Sequence, residues 1–251
     1  MLSFNFRLAL RVVVLSLFLR VIASLPLSTR DVIADGIELR ILPLGDSITF
    51  GYQPQHTNGT NGYRYELANR LSGSNFLFVG TQRSGDMVDN YNEGHSGYTI
   101  SQIASAVGPG LEMRPNAVLL HAGTNDLNNK VNPDEPYDEA PQRLGALIDQ
   151  ILGVCPDAVV LVAKIINSRT ADTESRIKTF NDAIPGVVQQ RVDEGHKVMV
   201  VDQSAVGADE LVDSLHPTDS GYAHMGDIWF EIMKAAAAEN LFTSPVGPDP
   251  R

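Results

Sequence analysis

The stretch ILPLGDSITFGYQ, residues 41–53, joins an apolar run to a small polar triplet. Its first four residues are apolar, whereas Gly45, Asp46 and Ser47 are small or polar. Turns and helix N-caps prefer such residues, so the triplet could simply end a buried strand. The alternative is that Ser47 is a reactive serine held at the edge of a sheet. The rest of the chain must decide between these two interpretations.

Short apolar runs alternate with longer amphipathic stretches along the chain, and the apolar runs are typical of parallel strands buried on both faces. The predicted strands are Leu39 to Leu44, Phe76 to Val79, Ala117 to His121, Val159 to Ile166 and Lys197 to Val201. The predicted helices are Tyr63 to Leu71, Thr99 to Val107, Tyr137 to Val154, Arg176 to Asp193 and Ser220 to Glu239. This alternation predicts a three-layer α/β/α sandwich with a central parallel sheet of about five strands.

Length and composition indicate one globular domain without affinity for nucleic acid. The chain has 251 residues, of which 43% are hydrophobic, as expected for a single packed α/β domain. We predict that this domain covers residues 24–251, with its core at about 38–240. The net charge is −11 and the pI is about 4.9. An acidic chain without a Lys/Arg cluster is a poor partner for nucleic acid.

Residues 1–23 have the composition of a secretory signal peptide. Arg7 and Arg11 precede or flank the apolar run Val12 to Leu19, and small or β-branched residues follow it, which predicts cleavage and an extracellular protein. An N-terminal membrane anchor is the alternative, but the run is short and Arg20 interrupts it. Cleavage would remove three arginines and no acidic residue, changing the net charge from −11 to −14.

The cysteine content is unusual for a secreted chain, whereas an N-glycosylation sequon fits one. Cys155 is the only cysteine, so no internal disulfide can form, and its apolar surroundings predict a buried structural thiol. Asn58, Gly59 and Thr60 form an N-glycosylation sequon in a polar loop, which makes Asn58 a candidate site for an N-glycan.

Three polar segments follow three of the predicted strands: GDS at 45–47, HAGTND at 121–126 and DSLHPTDSGY at 213–222. In an open α/β sheet such segments meet at the carboxyl edge. A nucleophilic serine needs a base within hydrogen-bond reach and donors for the oxyanion, and these segments contain candidates for each. Taken singly, a helix cap, a turn residue and a surface imidazole would explain them equally well.

The same segments resemble a known superfamily when taken together. GDS, Gly97 within EGHSGYTI, Asn125 within AGTND, and Asp213 with His216 in DSLH resemble the four blocks of the SGNH or GDSL hydrolases. More narrowly, GDSITFG, YRYEL, FVGTQRSG, EGHSGYTI and IPGVVQQ are similar to carbohydrate esterase family 3, whose members include acetylxylan esterases. One departure is GDSI in place of GDSL, which exchanges one branched apolar residue for another.

The resemblance implies a flavodoxin-like fold and a role for each matched residue. Ser47 would attack an ester carbonyl, His216 would accept its proton, and Asp213 would orient the imidazole. The backbone N–H groups of Ser47 and Gly97 and the side-chain amide of Asn125 would hold the oxyanion.

Other polar residues have structural explanations. None of the histidines has a partner at metal-ligand spacing, so no metal or other cofactor is predicted. We interpret Asp46 and Asp126 as side chains that tie loop backbone together. Trp229 and Phe230 lie on an amphipathic helix and are predicted to be core residues.

The loops at 52–63 and 83–93 are polar with scattered tyrosines. Such a lining suits a sugar better than a fatty acyl chain, and the resemblance also indicates acetylated polysaccharide or oligosaccharide, such as acetylated xylan, as the substrate. A lysophospholipase or acyl thioesterase with the same residues is one alternative. A secreted carbohydrate-binding protein without turnover is another.

Overall fold

The computed structural model describes residues 32–250, so the predicted signal peptide lies outside the described part of the chain. The sheet has seven strands. They are β1 (Leu39–Gly45), β2 (Phe76–Phe78), β3 (Gln82–Arg83), β4 (Tyr91–Gly94), β5 (Ala117–His121), β6 (Val159–Lys164) and β7 (Val198–Asp202). The helices are α1 (Ser47–Phe50), α2 (Tyr63–Arg70), α3 (Ile100–Ala106), α4 (Gly108–Glu112), α5 (Thr124–Asn128), α6 (Ala140–Val154), α7 (Ala171–Asp193) and α8 (Asp219–Ala238).

Strand β1 lies at the centre of the sheet. It runs parallel to β5 on one side, and β6 and β7 follow β5 outward. On its other side, its first half pairs with β2 and its end pairs with β4, both in parallel. The loops that follow β4 and β5 therefore lie on either side of the residues that follow β1.

The predicted fold class and its five strands are confirmed, and the sheet has two further strands that were not predicted. Strand β4 extends the sheet beside β1, and β3 pairs with β4 in an antiparallel ladder. These two strands read QR and YNEG, so neither has the apolar run that identifies a buried strand. The sheet is mixed and mostly parallel.

Helices cover both faces of the sheet, as predicted for a three-layer sandwich. Alternate residues of β1 face opposite sides, with Leu42 and Leu44 packed in one core cluster and Leu39 and Ile41 in the other. Helices α3, α4, α6 and α7 contribute to the first cluster, and α2 and α8 to the second. Trp229 of α8 is fully buried, which confirms its predicted core position.

Several boundaries differ from the sequence prediction. Helix α7 begins at Ala171, five residues before the predicted start at Arg176. The prediction missed these residues because the first turn of the helix is mostly polar and has no apolar periodicity. The predicted helix from Tyr137 begins as a separate 3₁₀ turn, Tyr137–Glu139, before α6. Cys155 is buried, as predicted. Within residues 32–250, no helix has both the length and the apolarity to cross a bilayer.

Candidate active site

Ser47 lies where β1 turns into the short helix α1. Gly45 ends the strand, and a Cβ at this position would lie 2.1 Å from the carbonyl oxygen of His121, so the close approach of β5 requires glycine here. Asp46 is the helix cap, because its Oδ1 accepts a hydrogen bond from the N–H of Ile48 at 2.9 Å. The cap role therefore belongs to Asp46, and the Ser47 hydroxyl is left for another partner.

That partner is His216. The Oγ of Ser47 lies 2.9 Å from Nε2 of His216, and Nδ1 of the same ring lies 2.7 Å from Oδ2 of Asp213. If Nδ1–H donates to the carboxylate, Nε2 is left as the acceptor for the serine hydroxyl. The three residues that the sequence predicted as nucleophile, base and orienting acid thus lie in one chain of hydrogen bonds.

The second oxygen of Asp213 fixes the carboxylate on its own loop. Oδ1 accepts hydrogen bonds from the N–H groups of Leu215 and His216, at 2.8 and 2.7 Å. Partial burial raises the pKa of Asp213, but these two donors and the imidazole outweigh it and leave the pKa below the ordinary value. Asp213 is therefore held as a carboxylate, the form that orients an imidazole.

Tyr52 contacts the imidazole and was not singled out from the sequence. Its ring centroid lies 4.6 Å from that of His216, and its carbonyl accepts a hydrogen bond from the Tyr222 hydroxyl at 2.9 Å. The sequence signal was a tyrosine in the polar loop after the nucleophile, but only the fold shows that its ring lies against His216.

Gly97 lies in a tight turn after β4. The N–H of Tyr98 donates to the carbonyl of His95 at 3.1 Å, and Gly97 has a φ of +83°, which glycine adopts without strain. The N–H of His95 donates to the carbonyl of Gly45 at 2.9 Å, which ties this turn to the end of β1. Within residues 32–250, the N–H of Gly97 donates no hydrogen bond.

Asn125 lies on the other side of β1, in the segment after β5. Its side-chain Nδ2 donates to the carbonyl of Tyr98 at 2.9 Å. The amide has a second N–H, which this contact does not use. The structure thus links Asn125 to the turn that contains Gly97, and both segments flank the residues at the end of β1.

A second histidine–carboxylate pair supports this turn and was missed from the sequence. Glu93 is fully buried and accepts hydrogen bonds from the N–H and hydroxyl of Thr81, at 2.7 and 2.9 Å. Nε2 of His95 lies 2.7 Å from Oε1 of Glu93, and the His95 ring stacks on Tyr98 with centroids 5.0 Å apart. The sequence alone indicates only that His95 is a loop residue.

The structural interpretation of Asp46 and Asp126 is confirmed. Burial raises the pKa of Asp46 to about 6, although the Ile48 N–H stabilises its charged form. Oδ2 of Asp126 accepts from the N–H of Ile100 at 2.9 Å, and Oδ1 pairs with Arg143 at 3.1 Å. Burial also raises the pKa of Asp126, against these stabilising contacts.

The fold and the hydrogen-bond chain define a class of protein, a hydrolase with a three-layer α/β/α fold and a Ser–His–Asp arrangement at the carboxyl edge of its sheet. Residues 44–224 match the model of the GDSL-like lipase/acylhydrolase family, and the chain belongs to that family. The predicted superfamily and the predicted class of carboxylic ester hydrolase are confirmed.

Two solved structures show which members of the family this chain is similar to. A family 3 carbohydrate esterase from Clostridium thermocellum is 36% identical, with a TM-score of 0.65 over 80% of this chain and 99% of its own. The structure of a mutant acetyl esterase with acetate ion is 25% identical, with a TM-score of 0.60 over 79% of this chain and 99% of its own. The predicted resemblance to carbohydrate esterase family 3 is thus confirmed.

The curated relatives are longer proteins. A multidomain esterase from Ruminococcus flavefaciens is 26% identical over 86% of this chain, and the match spans 31% of that relative. The chain spans 62% and 31% of the lengths of the two curated relatives that it matches.

Proposed function

We propose that this protein is a serine esterase that removes acetyl groups from polysaccharide, such as acetylated xylan. The observation that carries the proposal is the hydrogen-bond chain from Ser47 through His216 to Asp213, with distances of 2.9 and 2.7 Å. The names of the similar structures, a family 3 carbohydrate esterase and an acetyl esterase, support the choice of substrate.

The proposed reaction has two halves. The Ser47 hydroxyl attacks the ester carbonyl as its proton passes to Nε2 of His216, and a tetrahedral oxyanion forms. Its collapse breaks the bond to the sugar oxygen, which takes the proton from His216 and leaves as a free hydroxyl. Water then attacks the acetyl-serine with His216 again as base, and acetate and Ser47 are released.

The oxyanion would be stabilised by three donors, one directly after β1 and two from the loops that flank it. The N–H groups of Ser47 and Gly97 and the second side-chain N–H of Asn125 are the candidates. Such donors act most strongly on charge that develops in the transition state.

The acyl group is proposed to be small because the loop that follows Ser47, residues 52–63, is polar. The aromatic ring packed against His216 is that of Tyr52, which carries a hydroxyl. Each further methylene of an acyl chain would gain about 0.8 kcal/mol only if it were buried in apolar surroundings. A lysophospholipase or acyl thioesterase is therefore the weaker candidate.

The test compares the wild-type protein with Ser47→Ala on p-nitrophenyl acetate, butyrate and octanoate and on acetylated xylan. We expect acetyl release from xylan, a falling rate with acyl length, and a loss of about 10⁴-fold or more in Ser47→Ala. A serine-reactive phosphonate should label the Ser47 peptide. Octanoate preferred over acetate would favour the lipase alternative, and a tenth of the activity retained in Ser47→Ala would exclude Ser47 as nucleophile.

Secretion is also proposed, on the composition of residues 1–23. Asn58 of the sequon is exposed, as a glycosylated residue must be. The test is to express the full chain in a secreting host and to sequence the N-terminus of the protein recovered from the medium. A protein that retains residues 1–23 would contradict the proposal.

A further inference from the structure

A cavity of about 350 Å³ lies beside the proposed catalytic residues, and the reaction described above makes no use of it. Its walls come from helix α2, the start of helix α8 and the loop 56–62. Ser47, Asp213 and His216 do not line it. Its position and chemistry therefore need a separate explanation.

Tyr52 and Gln53 connect the cavity to the catalytic residues. Gln53 donates hydrogen bonds to the carbonyl of Pro217 and to Oδ1 of Asp219, both at 3.0 Å. Asp219 lines the cavity and follows His216 by three residues, a chain separation of at most about 11 Å. Tyr222, also in the wall, donates its hydroxyl to the carbonyl of Tyr52. A ligand longer than one sugar unit could thus extend from Ser47 into this cavity.

The walls are held in place by packing. Helices α2 and α8 approach so closely that a Cβ on Gly226 would lie 2.7 Å from Cβ of Glu66. Arg64, which is fully buried, donates to the carbonyls of Thr60 and Phe50 at 3.2 and 3.3 Å and fixes the loop against α2. The cavity is therefore formed in advance, as small-molecule sites usually are.

The groups that face the cavity suit a neutral sugar. Tyr65 lines the cavity and is 55% exposed, so its aromatic ring is accessible to a ligand. Within residues 32–250, the side chains of His56 and Glu66 make no hydrogen bond or ion pair, and the contact with Gln53 uses only one oxygen of Asp219. Carboxylates accept hydrogen bonds from hydroxyl groups, and an aromatic ring packs on the apolar face of a sugar.

Two other ligand classes, anions and single metal ions, fit this cavity poorly. Two carboxylates without a lysine or arginine in the wall repel anions, as does the net charge of −11. A single metal ion fits poorly, because among residues 32–250 no three His, Cys, Asp or Glu side chains are close enough to bind one.

We propose that this cavity binds unsubstituted neutral sugar units of the polysaccharide backbone, next to the acetylated unit at Ser47. One sugar ring packs on Tyr65, and its hydroxyl groups donate to Glu66 and Asp219. The proposal rests on the proposed function, because it takes the substrate to be a polysaccharide. It adds a site that discriminates a polymer from a small acetate ester.

The first test measures binding without turnover, by calorimetry of the full chain with unacetylated xylohexaose. We expect Tyr65→Ala to weaken binding about tenfold, equivalent to 1.4 kcal/mol, and Glu66→Gln to weaken it as well. Tyr65→Phe, which keeps the ring, should bind as the wild type does. Glu194→Gln, at an exposed position after α7, is the matched control. Oligogalacturonate should bind more weakly than xylohexaose, because the two carboxylates repel it.

The second test measures acetyl release from acetylated xylo-oligosaccharides and from p-nitrophenyl acetate. Tyr65→Ala and Glu66→Gln should raise KM for the oligosaccharides with kcat unchanged, and the kinetics on p-nitrophenyl acetate should not change. If the wild type deacetylates oligosaccharides but neither variant changes KM, this proposal is overturned while the proposed function stands. If the wild type hydrolyses p-nitrophenyl acetate but neither binds nor deacetylates the oligosaccharides, the proposed substrate is wrong and this site falls with it.

Discussion

The side-chain amide of Asn125 donates to the carbonyl of Tyr98 at 2.9 Å, although the two residues follow different strands. Strands β4 and β5 flank β1, so this bond joins the two loops on either side of Ser47. It uses one N–H of the amide and fixes the direction of the other. Asn125 is thus orientated before any substrate binds, which is the property that an oxyanion donor requires.

Asn125→Ala should lower kcat by about 10²- to 10³-fold with little change in KM, because the lost donor matters most as negative charge develops. Steady-state kinetics on p-nitrophenyl acetate measure both constants. Phosphonate should still label Ser47, although slowly. A rise in KM alone would mean that the amide binds the substrate in its ground state and is no oxyanion donor.

Asp213→Asn should lower kcat by about 10³- to 10⁴-fold while the fold is kept. The new Oδ1 can still accept from the backbone at Leu215 and His216, but the NH₂ group then faces Nδ1 of His216. Because an NH₂ group can only donate, Nδ1 must be the acceptor, and the imidazole adopts the tautomer with its proton on Nε2. In this tautomer Nε2 cannot accept the proton of Ser47. Kinetics with circular dichroism test this, and unchanged activity would mean that another group orients His216.

The sequence predicted those parts of the fold that have a local signal. The five long strands are apolar runs, so their burial is visible in the sequence alone. Strand β4 reads YNEG, and its place beside β1 is set by pairing of Glu93 and Gly94 with residues about 50 positions earlier. No local pattern reports such a pairing, which is why the predicted sheet was two strands short.

The same distinction holds at the site. Ser47 and Asn125 lie in short motifs just after strands, and Asp213 and His216 share one short motif, so a single sequence can suggest them. The partner of His95 is a buried glutamate whose other donor is Thr81, and the ring of Tyr52 meets His216, which is more than 160 residues later. These contacts exist only once the chain has folded.

His95→Ala should reduce both stability and turnover. It leaves the buried Glu93 carboxylate without one donor, which costs about 1–3 kcal/mol of unfolding free energy. It also removes the ring that stacks on Tyr98, so the turn around Gly97 is less constrained, and we expect kcat to fall about ten- to a hundredfold with KM little changed.

The matched control for that change is His224→Ala, since His224 also pairs with a glutamate, Glu210, at 3.0 Å but lies at a more exposed position on α8. Urea unfolding and steady-state kinetics on both variants give the comparison. The control should keep its kcat and lose less stability. Equal effects in the two variants would contradict a role for His95 in holding the turn.

The last prediction concerns the buried carboxyl group of Asp46. Its pKa is about 6 in the folded protein, against about 3.9 in an unfolded chain. The folded state therefore binds the proton more tightly, and this group lowers stability as pH rises from about 4 to about 6. Above that range the loss is constant, on the order of 3 kcal/mol for a shift of about two pKa units.

Asp46→Asn cannot ionise, and its Oδ1 can still accept from the N–H of Ile48. Relative to the wild type, its unfolding free energy should therefore rise between pH 4 and pH 8 by up to about 3 kcal/mol. Urea unfolding at both pH values measures the difference. Asp134→Asn, at an exposed carboxylate, is the control and should show no such change with pH. If the difference between Asp46→Asn and the wild type is the same at pH 4 and pH 8, burial of the Asp46 charge does not limit the stability of this fold.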